Sequence, residues 1–338
     1  MKTKLLVALL WCSIFAKAQA FDPNFYIFLG IGQSNMQGKG SIEYEDKSKG
    51  KKFSAEDWAR YRKMAVVDFS GAKAGTWTTA YPPLVRPDTG LGVTDYFGRY
   101  LVKGLDSIYS IGVVVVAVDG CATDAFSKDS TTVAKYLADS GTGSWVKEAA
   151  AAYGNYPYGR LVEMARKAQE SGVIKGIIYH QGETDANGTS WLDNVYQLYR
   201  NLLADLNLNI DSVPFIAGEP VQKDMGGACY GSIPWVDKIP SHFKSKSGKD
   251  CAYVVSSAYC SGSSDTFHFS SAGYRKIGQR YGEVMLPLLI GQGAIPMGVQ
   301  SVSSNWDSPI FNVRGEQLDS FQPGLNISNG KKYLILNP

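Results

Sequence analysis

The sequence predicts a three-layer α/β/α sandwich built on a central parallel sheet of about five strands. Short apolar runs rich in Val, Ile, Phe and Tyr recur without strict polar alternation, a pattern typical of strands buried on both faces. Amphipathic stretches with helical period separate these runs, as expected of helices that cover a sheet. The chain has 338 residues, 44% of them apolar, which suffices for one large domain of this class.

Five apolar runs are predicted as strands, and four amphipathic stretches are predicted as helices. In the second helical stretch, for example, Leu161, Met164 and Ala168 recur at three- and four-residue spacing. Because parallel strands end at a shared edge, a site is expected beyond their carboxyl ends. The predicted strands are residues 25–32, 112–118, 175–179, 213–217 and 252–256, and the predicted helices are residues 94–105, 158–170, 191–208 and 271–289.

Two long connections, residues 39–90 and 121–157, show no sustained period and are expected to be loops. Their aromatic residues, among them Trp58, Trp77 and Trp145, indicate order rather than disorder. Two interpretations stay open: the aromatic side chains hold the loops against the body, or some of them line a sugar-binding cleft.

The first twenty residues read as a signal peptide. Lys2 and Lys4 begin a stretch that is apolar over residues 5–15 and ends in the small-residue site Ala18-Gln19-Ala20. The apolar stretch is too short to span a bilayer, and no later segment is longer. The mature protein is therefore predicted to be secreted, periplasmic or at the cell surface, without a membrane span.

Residues 21–290 are predicted to form the α/β domain, residues 291–307 a linker rich in Gly, Ser and Asn, and residues 308–338 a terminal β segment. Two strand-like runs flank Asn329-Gly330, which is a strong hairpin signal. Residues 311–315 and 329–332 resemble the C-terminal β segments of exported Bacteroidetes-type proteins. The segment is interpreted either as a sorting tail or as a hairpin packed on the body.

The charge balance argues against a nucleic-acid partner. The formal net charge of +3 comes from 34 basic and 31 acidic residues, and Lys2, Lys4 and Lys17 lie in the leader. Without the leader, 31 basic residues balance 31 acidic ones, so no basic surface is predicted. A neutral chain suits an uncharged substrate.

The remaining cysteines and histidines do not show the spacing of a zinc site, so no metal or other cofactor is predicted. In an exported protein the four cysteines could form disulfides, but the sequence does not choose among the three full pairings. These residues are Cys121, Cys229, Cys251 and Cys260, and the histidines are His180, His242 and His268.

A candidate nucleophile follows the first predicted strand, in "GQSNMQG". Ser34 would need a base to accept its proton and an acid to orient that base. His268 lies in "SSDTFHFSSAGY", and Asp265 precedes it by three residues, close enough for the carboxylate to fold back onto the imidazole. The chain order Ser, Asp, His matches one known arrangement of the triad.

Donors for an oxyanion are expected at the same edge of the sheet. The backbone N–H of Ser34, the turn at Gly120 after the second strand, and the amide of Gln181 after the third are the candidates. Each feature alone has a structural explanation: Ser34 could be a turn residue, and His180 a hydrogen-bonded core residue. Their coincidence at one edge predicts a hydrolase.

The segments "GQSNMQG", "HQGETD" and "DTFHFSSAGYRKIG" resemble the conserved blocks of the SGNH hydrolase superfamily. They are more similar to its sialate O-acetylesterase-like branch, which includes acetylxylan esterases of carbohydrate esterase family 6. The likeness spans residues 25–289 and implies the SGNH, flavodoxin-like fold.

The resemblance implies Ser34 as nucleophile, His268 as general base and Asp265 as its orienting acid. It also implies oxyanion donors at Ser34, Gly120 and Gln181. The broad superfamily has an asparagine in its third block, whereas this chain has His-Gln-Gly-Glu, as the branch does. The neighbouring residues interpreted as supports are Gln33, Asn35, His180 and Glu183, and Asp185 is interpreted with Glu183 as orienting Gln181 or a nearby loop.

The sequence thus predicts an esterase that removes acetyl groups from a plant polysaccharide or oligosaccharide, with acetylxylan as the first choice of substrate. Two alternatives remain at this point. The substrate could be an acetylated sialic acid, or the chain could be an inactive carbohydrate-binding protein that retains the fold.

Overall fold

Seven strands form the main sheet of the computed structural model, which describes residues 20–47, 53–69, 71–245, 247–297, 310–312, 316–318, 324–328 and 331–335. Their order is β3-β2-β4-β1-β5-β6-β7, and the neighbours pair parallel apart from β2 and β3. The predicted α/β fold is confirmed, with the five predicted strands at the centre and on one side. The strands are β1 (Phe25–Gly32), β2 (Tyr61–Met64), β3 (Trp77–Thr79), β4 (Ser110–Ala117), β5 (Val173–His180), β6 (Phe215–Gly218) and β7 (Ala252–Val255).

Ten helices accompany this sheet in the described part of the chain, and the four predicted ones are the longest. They are α1 (Ser34–Gln37), α2 (Ala55–Arg60), α3 (Val93–Gly104), α4 (Ser130–Ala138), α5 (Ser144–Ala151), α6 (Pro157–Gln169), α7 (Thr189–Asp205), α8 (Ile233–Val236), α9 (Ile239–His242) and α10 (Ser271–Gly291). Pro157 starts α6 at a position where its missing N–H costs nothing. The Ser270 side chain caps α10 by accepting a hydrogen bond from Gly273 N–H.

The two faces of β1 divide the core into two layers. The side chains from Phe25 to Ile31 at odd positions pack with α6 and α7, whereas Tyr26 and Phe28 pack with α3 and α10. All eight residues of β1 are buried. Each large apolar side chain buried in this way contributes about 1.5–3 kcal/mol relative to exposure. The continuous apolar run in the sequence therefore reflects helices on both sides of the strand.

The two segments expected to be loops contain regular structure. Residues 39–90 include α2, β2 and β3, and residues 121–157 include α4 and α5. The strand β2 carries Arg62 and Lys63 in half-buried positions, so it lacks the apolar run of a central strand. The helix α4 buries one apolar residue, Val133, and its helical period is therefore weak in the sequence.

The carboxyl ends of three central strands meet at one point. Gly32, the last residue of β1, lies opposite Ala117 of β4 and His180 of β5. A Cβ atom at Gly32 would lie 1.9 Å from the carbonyl oxygen of His180, so a side chain here would force β1 and β5 apart. The turns that follow these strands are consequently neighbours.

A second sheet of four antiparallel strands lies near the end of the chain. Its order is β11-β10-β8-β9, and Ser328 lies opposite Lys331 where β10 and β11 pair. The predicted signal peptide up to residue 19, most of the predicted linker and the Asn329-Gly330 turn lie outside the described residues. The strands are β8 (Ile310–Asn312), β9 (Gln317–Leu318), β10 (Gly324–Ser328) and β11 (Lys331–Ile335).

The four cysteines among the described residues are free thiols in this structure. Three of them, Cys121, Cys251 and Cys260, are buried, and Cys229 is partly exposed. The disulfides allowed by the sequence are therefore not formed here. In the part of the chain that is described, we find no helix with the length and apolar content needed to cross a bilayer.

Candidate active site

The turn after β1 presents Ser34 at the start of the four-residue helix α1, where all four side chains are buried. The Ser34 hydroxyl makes no hydrogen bond to any other described residue, so it is available for chemistry. It lines a cavity of about 930 Å³ at the carboxyl edge of the sheet, and His268 lines the same cavity. The structure thus brings the predicted nucleophile and the predicted base to one site.

His268 is oriented by Asp265 on the loop that precedes α10. The imidazole Nδ1 lies 2.7 Å from the carboxylate Oδ2 of Asp265. A neutral imidazole that donates its Nδ1–H to the carboxylate presents Nε2 as the proton acceptor. The geometry is that of a base held by an acid, as the three-residue spacing predicted.

The carboxylate of Asp265 is stabilised in its charged form. Burial acts to raise its pKa, but hydrogen bonds from the His268 ring, the Ser263 hydroxyl and the backbone N–H groups of His268 and Phe267 lower the pKa well below its usual range. The group is therefore ionised across the pH range in which imidazole titrates. A permanent negative charge beside Nδ1 stabilises the imidazolium that forms when His268 accepts a proton.

Asn35 ties the nucleophile turn to the loop that carries His268. Its Nδ2 donates to the backbone oxygen of Phe267 at 3.1 Å, and its Oδ1 accepts from the Tyr274 hydroxyl at 2.7 Å and from Phe269 N–H at 3.3 Å. The same Nδ2 donates to Glu183 Oε1 at 2.7 Å. The side chain therefore connects its own turn to segments that lie 148 and 232 residues further along the chain.

Glu183 and His180 lie beneath the cavity, among buried groups. The Glu183 side chain is 5% exposed, and burial raises its pKa although the hydrogen bond from Asn35 acts to lower it. His180 is fully buried, its Nδ1 lies 3.0 Å from the Tyr281 hydroxyl, and burial lowers its pKa to about 3. His180 is thus a neutral core histidine, and Glu183 is a partner of Asn35.

Two backbone N–H groups are free to bind an oxyanion. Neither Ser34 N–H nor Gly120 N–H has an acceptor among the described residues. Gly120 follows β4, lines the cavity and has φ of 65°, a left-handed conformation that strains other residues. Both residues line the cavity, and their N–H groups can therefore donate hydrogen bonds to a bound oxyanion.

Gln181, the third predicted oxyanion donor, uses its amide hydrogens for other acceptors in this structure, and its role in binding an oxyanion stays a prediction. Its Nε2 donates to Cys121 O at 3.2 Å and to the Asp185 carboxylate at 2.5 Å, which uses both hydrogens. Its Oε1 accepts from Tyr179 and Trp191 at 2.7 and 3.1 Å. Gln181 is 1% exposed and is not among the residues that line the cavity. Its amide therefore connects the segment that follows β5 to Cys121 and to Trp191 of α7.

Gln33, which the sequence marked as a support, offers a side-chain amide at the cavity instead. Its Oε1 accepts a hydrogen bond from the Thr184 hydroxyl at 3.2 Å. Its Nε2 has no acceptor among the described residues, and the residue lines the cavity beside Ser34. The arrangement therefore provides three free N–H donors next to the nucleophile, two from the backbone and one from Gln33.

Asp185, which the sequence analysis interpreted as a support for Gln181 or a nearby loop, contacts both in this structure. Asp185 accepts from Thr123 N–H at 2.7 Å as well as from Gln181, and it thereby fixes the turn after Gly120. Its place in "HQGETD" was a signal for such a role. Trp145 and Phe267 line the cavity, and the aromatic content of the long connection indicated the first of them. Cys229 also lines it, and nothing in its sequence context points to this position.

The groups brought together at this site are a hydroxyl, an imidazole held by a carboxylate, and N–H donors. In the described residues, no cluster of three or more His, Cys, Asp or Glu side chains is placed to hold a metal ion. A serine with a free hydroxyl, an acid-oriented imidazole and convergent N–H donors can carry out acyl transfer.

The model of one protein family, described as carbohydrate esterase, sialic acid-specific acetylesterase, matches residues 24–287 of the chain. This span contains β1 through most of α10, and so all the site residues above.

Solved structures show the same fold at low sequence identity. A protein from Arabidopsis thaliana is 20% identical with a TM-score of 0.53, and the match covers 79% of this chain and 99% of that one. NanS is 16% identical with a TM-score of 0.51, covering 80% and 99%. A carbohydrate acetylesterase from Xanthomonas citri is 17% identical with a TM-score of 0.51, covering 86% of this chain and 65% of that one.

Proposed function

The chain belongs to the carbohydrate esterase family of sialic acid-specific acetylesterases, and from this premise we propose that it removes O-acetyl groups from a plant polysaccharide, with acetylxylan as its substrate. The observation that carries the proposal is the 2.7 Å contact between His268 and Asp265 beside a cavity that also exposes Ser34. The family supports carbohydrate deacetylation in general, and the choice of xylan rests on the resemblance of the sequence blocks.

In the proposed mechanism His268 Nε2 accepts the proton of the Ser34 hydroxyl as the oxygen attacks the acetyl carbonyl. Asp265 holds the imidazole and stabilises its positive charge. The N–H groups of Ser34 and Gly120 and the amide of Gln33 donate to the oxyanion of the tetrahedral intermediate.

Collapse of that intermediate breaks the bond to the sugar oxygen, which takes the proton from His268. A water molecule then attacks the acetyl-serine, again with His268 as base, and acetate leaves with Ser34 restored. The overall reaction converts the acetyl ester and water into the sugar alcohol and acetic acid. Its atoms balance without a further reactant.

A second candidate substrate is an acetylated sialic acid. The description of the family names sialic acid, and this observation favours the candidate directly. The two sugars differ in charge, since sialic acid carries a carboxylate and xylan units do not. The proposal also includes export, which is supported by the signal-like residues 1–20 alone.

Acetate release from acetylxylan and from O-acetylated sialic acid, by the wild type and by Ser34→Ala, tests this proposal. We expect release from acetylxylan, and a fall in kcat of about 10³-fold or more in the variant. Ser107→Ala, which changes an exposed serine before the amino end of β4 and outside the cavity lining, serves as the matched control and should retain activity.

Near-normal activity of Ser34→Ala would remove Ser34 from the mechanism. Release from the sialic acid substrate alone would replace acetylxylan with the second candidate. If neither sugar is deacetylated while both bind, the chain is a carbohydrate-binding protein and the esterase proposal fails.

A further inference from the structure

Two of the large apolar side chains that remain exposed lie at the site. Trp145 is 58% exposed and Phe267 is 53% exposed, and both line the cavity that contains Ser34. An exposed indole at a cavity offers a broad apolar face to a ligand, together with one N–H donor. The apolar faces of sugar rings fit such a surface.

The Trp145 ring is held in place before any ligand arrives. It stands at the start of α5, which is anchored in the core by Val146 and Ala150. Its Nε1 lies 2.5 Å from where a Cβ atom of Gly120 would be, and its ring is equally close to that of Gly143. The indole therefore packs closely against Gly120 and Gly143. Because this packing already restricts its rotamers, little side-chain entropy is lost when a ligand stacks on it.

The cavity continues past Trp145 along α4. Thr132, Lys135 and Tyr136 of α4 line this part, together with Asp139, which follows the helix. The volume of about 930 Å³ is near the upper end of the roughly 300–1,000 Å³ found for sites of drug-sized ligands. A cavity of this size exceeds what a single acetylated sugar unit needs.

Among the residues that line the cavity, carboxylate side chains outnumber cationic ones. Asp119 forms an ion pair with Lys39, which leaves Asp124 and Asp139 facing one lysine. Carboxylate oxygens are good acceptors for sugar hydroxyls, but they repel a sugar that carries its own carboxylate. The charged residues that line the cavity are Asp119, Asp124, Asp139, Glu183, Lys135 and His268.

We propose that Trp145 is the platform on which the acetylated sugar unit stacks beside Ser34, and that the cavity along α4 receives neighbouring uncharged sugar units of the same chain. This inference rests on the proposed esterase function and specifies its substrate as a neutral oligosaccharide longer than one unit.

Steady-state kinetics of Trp145→Ala on two kinds of acetyl ester test the inference. Because the indole also packs on Gly120, kcat/KM on p-nitrophenyl acetate, which has no sugar, should fall as well, but only by about threefold. On acetylated xylo-oligosaccharides it should fall about tenfold, mainly through a higher KM, and the loss should grow with chain length. Trp145→Phe keeps a flat ring and should recover most of the activity, while Tyr44→Ala, an exposed aromatic outside the cavity, is the matched control.

The outcomes separate the inference from the proposed function. If the wild type hydrolyses neither ester, the esterase proposal itself fails. If the wild type is active and Trp145→Ala loses equally on both esters, or on neither, Trp145 is not a sugar platform. Preference of the wild type for an O-acetylated sialic acid over the xylo-oligosaccharide would overturn the assignment to uncharged sugars.

Discussion

Replacement of Gln181 by alanine should destabilise the protein, because this amide is hydrogen-bonded to five groups, in Tyr179, Trp191, Cys121, Asp185 and Thr123. The Tyr179 hydroxyl, the Trp191 indole N–H and the Cys121 carbonyl would each lose a hydrogen bond inside the protein. A buried polar group left without a partner costs about 1–3 kcal/mol, so the total loss is about 3–6 kcal/mol after water occupies part of the space. Such a loss is a large fraction of the stability of a typical domain.

The measurement is thermal and urea unfolding of Gln181→Ala, alongside kcat and KM on an acetyl ester. We expect the Tm to fall by about 6–12 °C. Gln181→Met retains the length of the side chain without its hydrogen bonds, and it should be destabilised to a similar degree. Gln197→Ala, on the outer face of α7, removes an exposed glutamine and should leave the Tm unchanged.

The reasoning would be refuted by a Gln181→Ala protein with wild-type Tm and a kcat reduced about 10²-fold at constant KM. Loss of one oxyanion donor has that kinetic signature. It would mean that the amide turns toward the cavity in the transition state, as the sequence blocks implied.

Two further predictions concern Gln33 and Asp95. Gln33→Ala removes the free amide at the cavity, so kcat should fall about 10²-fold with little change in Tm, and an unchanged kcat would exclude Gln33 as a donor. Asp95 of α3 is fully buried, and burial raises its pKa from the usual 3.8 to about 7, despite hydrogen bonding to Gly92 N–H and the nearby charges of Arg99 and Lys63. Between these two pH values the unfolded chain releases this proton and the folded chain keeps it, so the group destabilises the fold increasingly as the pH rises. Asp95→Asn should therefore gain stability relative to wild type from pH 4 to about 7 in urea titrations, and a pH-independent difference would contradict this.

The central strands and long helices could be predicted because their apolar patterns report burial directly. β1 is buried on both faces and reads as a continuous apolar run, and α3, α6, α7 and α10 each bury one face. The edge strands β2 and β3 could not be predicted in this way, since half-buried residues such as Arg62 give no apolar period. Position at the sheet edge is a property of the tertiary structure.

At the site, local spacing was informative and long-range partners were not. Asp265 and His268 are three residues apart, so their contact could be inferred from the chain alone. Gln181 is surrounded by Cys121, Asp185 and Trp191, and the sequence does not show which groups will saturate an amide after folding. The orientation of a buried amide is decided by the whole set of its neighbours.

The long connection between β4 and α6 contributes residues to the proposed sugar-binding part of the site. Residues 127–152 of this connection contain Trp145 and the wall along α4, whereas Ser34, Gly120, Asp265 and His268 lie outside them. Under the proposed function, we expect an exchange of residues 127–152 between related chains to alter which sugar binds and to leave Ser34, Asp265 and His268 unchanged. Because the proposed sugar-binding residues and the proposed catalytic residues lie in different segments, substitutions in residues 127–152 are the ones to try when glycan preference is to be changed.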